Sequence, residues 1–328
     1  MHNPFQEKIE ERESDADYIK LALEGDAAAL EALILRHQSW IFNIALNMTG
    51  DIHWAEDVTQ EILIKTIAKL STYDQQKAAF RTWLYRIVAN HVINMKESKK
   101  EQYFAAYAEN FDFNTYILNL PDTKNPTPMS GKEIIDETKS YCTLCVLLCL
   151  TRMERMVLIL GAIFDVTDRI GAEICDISRA NFRKILSRSR KKVADYFQSN
   201  CSLFDERNPC KCSEQVSYLM QLGMIKPDDM NIKHDSLGTI RTVLGKTVTD
   251  IENSYSEFLT LYQDQPFFKG PDMVSWLKDL LQRNNINDTI SLSKDNAAAR
   301  RGLRKRITNT LRKPTTRPTK LAKESELV

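Results

Sequence analysis

The sequence predicts an all-α protein built from two small helical domains and further C-terminal segments. Long segments carry apolar residues at three- and four-residue spacing, and no segment shows the alternation that is typical of β-strands. The 328 residues include only 10 glycines and 10 prolines, so few positions interrupt helices. This length is sufficient for two or three domains, each with its own core.

Changes in composition divide the chain. The three prolines Pro121, Pro126 and Pro128 mark a flexible linker between two helical blocks. The last forty residues are rich in Lys, Arg, Thr and Pro, and we expect them to be disordered. The resulting segments are an acidic N-terminal tail (1–14), a first helical block (15–97), the linker (98–135), a second helical block (136–200), a mostly helical extension (201–288) and a basic tail (289–328).

The charge distribution favours a nucleic-acid partner although the net charge is only +1. Basic side chains gather near Lys96, between Arg179 and Lys192, and beyond Lys294. Such clusters are candidate contacts for phosphate groups.

Several functional classes lack their usual signals in this sequence. There is no run of eighteen apolar residues and the N-terminus is charged, so we expect a cytoplasmic protein without direct membrane insertion. The sequence has no glycine-rich phosphate loop, no His-Glu-x-x-His pair and no nucleophile elbow. We therefore do not expect an enzyme, and no cofactor is required.

The seven cysteines do not form the pattern of a disulfide framework, and reduced thiols are expected. Cys142, Cys145 and Cys149 recur at helical spacing in an apolar run, which is typical of core residues. Cys201, Cys210 and Cys212 are close enough in sequence to bind a soft metal ion such as zinc or copper(I). His234 and Cys175 are candidates for a fourth ligand, and a plain turn with free thiols is the alternative.

The helix that follows the turn Thr49-Gly50-Asp51 is predicted to have two distinct faces. The inward face carries Ala55, Val58, Ile62, Leu63, Ile67 and Leu70. The outward face carries Asp57, Gln60 and Glu61 around Ile64, an acidic stripe with an apolar centre. Such a stripe suits a basic helical partner, although the stripe taken alone is explained better by a solvated helix face.

A second helix of the first block carries a polar row opposite its core face. The predicted core residues are Phe80, Trp83, Leu84, Ile87 and His91. Arg86, Asn90 and Asn94 follow one another at four-residue spacing on the other side. Guanidinium and amide groups of this kind bind phosphates and base edges.

Several motifs of the first block occur in an order that resembles region 2 of the extracytoplasmic-function sigma factors of the sigma-70 family. They are Gly25-Asp26, Ala29-Leu30, Ala55-Glu56-Asp57-Val58-Thr59-Gln60-Glu61, Tyr73-Asp74 and the segment from Phe80 to Asn90. The resemblance implies that Asp57, Gln60, Glu61 and Ile64 bind core RNA polymerase. It also implies that the melted strand of the −10 promoter element is held by Thr72, Tyr73, Asp74, Arg81, Arg86, Asn90, Asn94 and Lys96.

The second block has the spacing of a helix-turn-helix. A helix from Thr151 to Phe164 precedes a short helix from Asp168 to Ile174, a turn, and a basic helix capped by Ser178. The basic helix resembles the recognition helix of region 4 in the same family, which reads the −35 element as duplex. The implied contacts are Ser178, Arg179, Asn181, Arg183, Lys184 and Arg188.

The resemblance predicts a sigma factor that binds core RNA polymerase, recognises −10 and −35 promoter elements and promotes DNA opening. Its partners are then polymerase and promoter DNA, both as duplex and as melted single strand, with an anti-sigma factor as a further candidate. Two alternatives stay open. One is a stand-alone helix-turn-helix regulator, and the other is a metal- or thiol-responsive sigma factor that uses the cysteine-rich extension as a sensor.

Overall fold

The computed structural model describes residues 14–98, 101–102, 132–202, 204–212, 215–216, 220, 262, 271, 273 and 275. Most of the N-terminal tail, the linker and the extension, and all of the basic tail, lie outside these residues. The helices are α1 (Asp15–Glu24), α2 (Ala27–Thr49), α3 (Ile52–Lys69), α4 (Phe80–Asn94), α5 (Lys132–Leu148), α6 (Arg152–Leu158), α7 (Asp168–Cys175) and α8 (Arg179–Asn200). The described residues contain no β-strand beyond one isolated bridge, which confirms the all-α prediction.

Local capping signals set the helix boundaries of the first unit, which comprises α1 to α4. Ser14 and Asp17 form a reciprocal capping box at the start of α1. The side chains of Asp26 and Asp51 accept hydrogen bonds from the first free N–H groups of α2 and α3. Gly50 ends α2 in the left-handed region, at φ 62°, and the predicted turn at this position is confirmed.

The second unit, α5 to α8, contains the predicted helix-turn-helix. After α6 the chain continues as a π-helical turn, Ile159–Ile163, before α7 begins. Asp176 ends α7 in the left-handed region and the Ser178 hydroxyl accepts from the Asn181 N–H at the start of α8. A Cβ at Gly171 would lie 2.4 Å from the ring of Phe182, so this close approach of α7 to α8 requires glycine.

The two units pack against each other and share one hydrophobic cluster. Helix α4 packs against α7 and α6, and α2 packs against α5. The Trp40 and Phe164 rings meet edge to face with centroids 5.4 Å apart. As a result Val88, Ala89 and Val92 are buried together with Phe80, Leu84 and Ile87 of the predicted core face of α4, while Trp83 and His91 of that face are half-buried.

Arg155 of α6 is the polar centre of the contact between the units and is only 2% exposed. Its guanidinium pairs with Glu101 at 3.0 Å and donates to the carbonyl oxygens of Leu147 and Leu150 in the second unit. It also donates to the Met48 carbonyl near the end of α2. Glu101 lies in the segment that the sequence assigns to the linker, yet it is buried and also binds Arg152 at 2.8 Å.

Candidate nucleic-acid interface

The acidic stripe of α3 is only partly as predicted. Asp57 and Glu61 are exposed and Gln60 is half-buried. Ile64, however, is only 3% exposed, so its assignment to the polymerase-binding surface is wrong. Because α4 as well as α2 packs against α3, the buried arc of α3 is wider than a helical wheel with one partner predicts.

Glu61 is connected to α4 through His91. The His91 Nε2 atom lies 3.5 Å from the Glu61 carboxylate, and its Nδ1 atom contacts the Lys65 ammonium. Burial, followed by the charge of Lys65, lowers the pKa of His91 to about 4. The imidazole is therefore neutral at pH 7 and forms no ion pair with Glu61, whose carboxylate interacts with the charge of Lys65 instead.

At the loop between α3 and α4, a cluster of aromatic side chains lies next to polar side chains. Tyr73 meets the rings of Phe80 and Trp83 with centroids 5.4 Å away in both cases. Thr72 at this loop is exposed, and the Asp74 carboxylate accepts from the Gln76 N–H and so shapes the turn. Half-buried aromatic rings of this kind can stack on unpaired bases.

Arg81 pairs with a residue that the sequence does not predict as its partner. Its Nε lies 3.5 Å from the Asp15 carboxylate, and its side chain is 13% exposed. Burial raises the pKa of Asp15, but His37, Arg36 and Arg81 together hold it well below its usual range. The assignment of Arg81 to the −10 strand is therefore corrected, because this guanidinium ties α4 to α1 instead of facing solvent.

The polar row of α4 is exposed as predicted. It consists of Arg86, Asn90 and Asn94, and Lys96 beyond the helix end is exposed as well. The Asn94 amide donates to the Asn90 carbonyl at 2.8 Å. Arg86 reaches across to the second unit, where Asp176 at the end of α7 lies 3.3 Å away.

The recognition helix α8 exposes all the basic residues that the sequence assigns to the −35 element. Arg179, Asn181, Arg183, Lys184 and Arg188 are exposed, while Phe182 is fully buried. Asp168 binds both Arg179 and Arg183 at 2.9 Å. Hydrogen bonds from Arg179 are the main reason that the pKa of Asp168 is lowered.

Asp168 and Asp176 are residues of this surface that the sequence reading did not single out. The arginines bound by Asp168 are more than half exposed, so these ion pairs are weak and exchangeable for phosphate contacts. In the sequence, Asp168 and Asp176 are marked by position alone, because they flank the short helix that precedes the recognition helix.

Comparisons with known proteins give sequence matches to one family. The family profile named Sigma-70 region 2 matches residues 33–102. The ECF RNA polymerase sigma factor SigW of Bacillus subtilis is 33% identical over 86 residues, which cover 26% of this chain and 46% of the relative. The RNA polymerase sigma-H factor of Pseudomonas aeruginosa is 34% identical over 129 residues, 39% of this chain and 66% of the relative.

The chain belongs to the extracytoplasmic-function sigma factors of the sigma-70 family. The ECF RNA polymerase sigma factor SigM of Bacillus subtilis is 25% identical over 154 residues, which cover 85% of that relative. This alignment is more than twice as long as the region 2 match, so the similarity extends outside residues 33–102. The matched segments nevertheless span only about half to two thirds of SigW and sigma-H.

No helix in the part of the chain that the structure describes is both long and apolar enough to span a bilayer.

The cysteines of this sigma factor fall into two groups. Cys149 and Cys175 are surrounded by other side chains, and burial raises their pKa values to about 11 and about 12. The Cys142 thiol interacts with the thiols of Cys145, Cys201, Cys210 and Cys212, and burial followed by these neighbours raises its pKa well above the usual value. Cys175 shows no such neighbours, and His234 lies outside the described residues.

Proposed function

We propose that this protein is a non-catalytic promoter-recognition subunit that binds core RNA polymerase, recognises −10 and −35 elements and promotes DNA opening in the bacterial cytoplasm. The observation that carries the proposal is the combination of two different nucleic-acid surfaces in one chain. The aromatic loop and polar row of α4 suit unpaired bases, and the basic face of α8 suits duplex DNA. The named relatives are sigma factors of the same kind.

Polymerase binding is assigned to the exposed carboxylates of α3. We expect that the double substitution Asp57→Lys, Glu61→Lys weakens binding to core polymerase by about 10-fold or more, because two attractive charges become repulsive. Both side chains are exposed, so the helix content should not change. Fluorescence anisotropy of the labelled protein titrated with core enzyme measures the affinity.

The matched control for this prediction is Glu24→Lys. Glu24 is an exposed acid at the end of α1, outside the acidic stripe of α3. It should keep the wild-type affinity within about 2-fold, since a single charge away from an interface contributes little. Equal losses in both variants would mean that net charge, and not the α3 stripe, controls the association.

Promoter binding through α8 should depend on salt. We expect that Arg183→Ala weakens binding to −35 duplex and reduces the slope of log affinity against log salt by about 1, as for the loss of one phosphate contact. The Arg183 side chain is 63% exposed and its ion pair with Asp168 is weak, so folding should not be affected. The control is Lys20→Ala, at an exposed lysine of α1, which should leave the slope unchanged. If Arg183→Ala also left the slope unchanged, Arg183 would not be a phosphate contact.

Run-off transcription tests the proposed function as a whole. The purified protein is added to bacterial core polymerase and a set of genomic promoter fragments, with core enzyme alone as the control. Discrete transcripts that require the protein are the expected result. Binding to duplex DNA without any polymerase association would instead indicate a stand-alone helix-turn-helix regulator.

The proposal also includes an anti-sigma factor as a partner. The exposed faces of α3 and α8 are the surfaces such a protein would have to cover. Addition of a candidate anti-sigma factor to the run-off assay should then abolish the transcripts.

A further inference from the structure

Residues of the C-terminal extension are buried together with both helical units. Val216, Tyr262 and Met273 belong to the same hydrophobic cluster as α2 and α5, and they are 5%, 1% and 1% exposed. A tyrosine is seldom buried so completely, and a solvated appendage would leave all three side chains in water. At these positions the extension is therefore an integral part of the folded protein.

Tyr262 is anchored on the second unit. Its hydroxyl donates to the Thr143 carbonyl of α5 at 2.9 Å, and both residues are buried. A buried tyrosine hydroxyl needs a hydrogen-bond partner, so this bond fixes the ring in one position. Burial raises the pKa of the hydroxyl well above its usual value, and it therefore remains a donor at neutral pH.

Met273 is anchored on the first unit. Its N–H donates to the side-chain oxygen of Gln38 in α2 at 3.3 Å and to the Pro271 carbonyl at 2.7 Å. Gln38 is itself only 6% exposed, so the bond between the extension and α2 is shielded from water. Departure of Met273 would expose its side chain and break this buried hydrogen bond.

We propose that Tyr262 and Met273 form an intramolecular clamp that holds the two units in their packed arrangement and thereby restrains promoter binding. One anchor lies on α5 and the other on α2, two helices that also pack against each other. The units cannot separate freely while both anchors are in place, because the chain between the anchors connects them.

Restraint of promoter binding follows from the spacing of the promoter elements. Contact with −10 and −35 elements about two turns of DNA apart requires surfaces about 70 Å from each other, which packed helices do not provide. This step rests on the proposed function. The clamp itself rests on the contacts of Tyr262 and Met273 alone.

Cleavage of the chain between the anchors tests the clamp in the full-length protein. A specific protease site is inserted after Gln265, and single-molecule energy transfer between exposed Gln75 and Ser199 counts the molecules with separated units. Cleavage should raise the ratio of separated to packed molecules by at least about 10-fold, since it disconnects two buried anchors. The matched control carries the same site after Lys313, beyond both anchors, and cleavage there should leave the ratio unchanged. An unchanged ratio after cleavage at Gln265, or an equal rise in the control, would overturn the clamp.

Alanine variants show whether the two anchors act as one bridge. Tyr262→Ala and Met273→Ala should each raise the ratio of separated molecules. The double variant should raise it no further than the stronger single variant, because a bridge fails with the loss of either anchor. Fully additive effects would mean that each residue only completes the core of its own unit, which contradicts the clamp. Tyr18→Ala removes a half-buried ring within the first unit and should leave the ratio unchanged.

Promoter binding tests the restraint separately. With core polymerase present, cleavage after Gln265 should tighten binding to a promoter fragment by about the same factor as the rise in separated molecules, because only these can contact both elements. More separated molecules without tighter promoter binding would overturn the restraint. The energy-transfer measurements need neither polymerase nor DNA. A protein that never binds promoters with polymerase would therefore refute the proposed function and leave the result on the clamp standing.

Discussion

Arg155→Met is expected to destabilise the protein by about 3–5 kcal/mol, the usual cost of breaking a buried ion pair by removing one partner. The substitution keeps an apolar stem but removes the Glu101 pair and every hydrogen bond to the surrounding carbonyls. Buried carbonyl groups without donors add to the cost. Urea unfolding followed by circular dichroism should show a midpoint lowered by more than about 1 M.

The control for this prediction is another arginine–carboxylate pair in the same chain. Arg207 binds Asp205 at 2.6 Å, but its side chain is 90% exposed. Arg207→Met should leave the urea midpoint unchanged, since solvent screens such pairs. Arg155→Lys should recover only part of the loss, because one ammonium cannot reach Glu101 and all the carbonyls at once. A wild-type midpoint for Arg155→Met would show that Arg155 does not hold the units together.

Helix positions were predictable from the sequence because their causes are local. Ser178 caps α8, and the glycine of the turn at 49–51 ends α2, each acting within a few residues of its own position. The exposed row of Arg86, Asn90 and Asn94 was also predictable, since four-residue spacing on a helix fixes a common face.

The remaining features depend on contacts between distant segments. Ile64 is buried because a second helix covers α3. The Arg81 guanidinium does not face solvent because it pairs with Asp15 of α1. Glu101 lies in the segment that the sequence assigns to the linker, and only the fold shows that it pairs with Arg155 and Arg152.

Packing of the two units has a consequence for promoter binding. Packed helices lie about 8–10 Å apart, and the recognition helix is one helix removed from α4, so their axes are within roughly 20 Å. If −10 and −35 elements are about two turns of DNA apart, the two surfaces must lie about 70 Å from each other on the promoter, at about 35 Å per turn. The packed arrangement cannot contact both elements at once.

The contacts that would have to break differ greatly in strength. Arg86 and Asp176 are 44% and 77% exposed, so this ion pair resists separation only weakly. The apolar contact of Trp40 with Phe164 and the buried guanidinium of Arg155 account for most of the resistance. On the proposed function, binding of core polymerase and DNA must offset these interactions.

We therefore expect the units to separate in the promoter complex. Fluorophores are placed at Gln75, in the loop before α4, and at Ser199 near the end of α8, both exposed and outside the assigned DNA contacts. Labelling through non-natural amino acids avoids the seven native cysteines. Energy transfer should be high in the free protein and fall to near zero with polymerase and promoter, because about 70 Å exceeds the range of common dye pairs.

A second dye pair distinguishes separation of the two units from local effects on the fluorophores. Glu173 on α7 and Lys191 on α8 are exposed residues of the same unit, so their energy transfer should not change on promoter binding. Arg155→Met should lower the transfer between Gln75 and Ser199 even in the free protein, since it removes the buried link between the units. High transfer that persists in transcribing complexes would mean that the units stay packed and that the two promoter elements are not contacted at the same time.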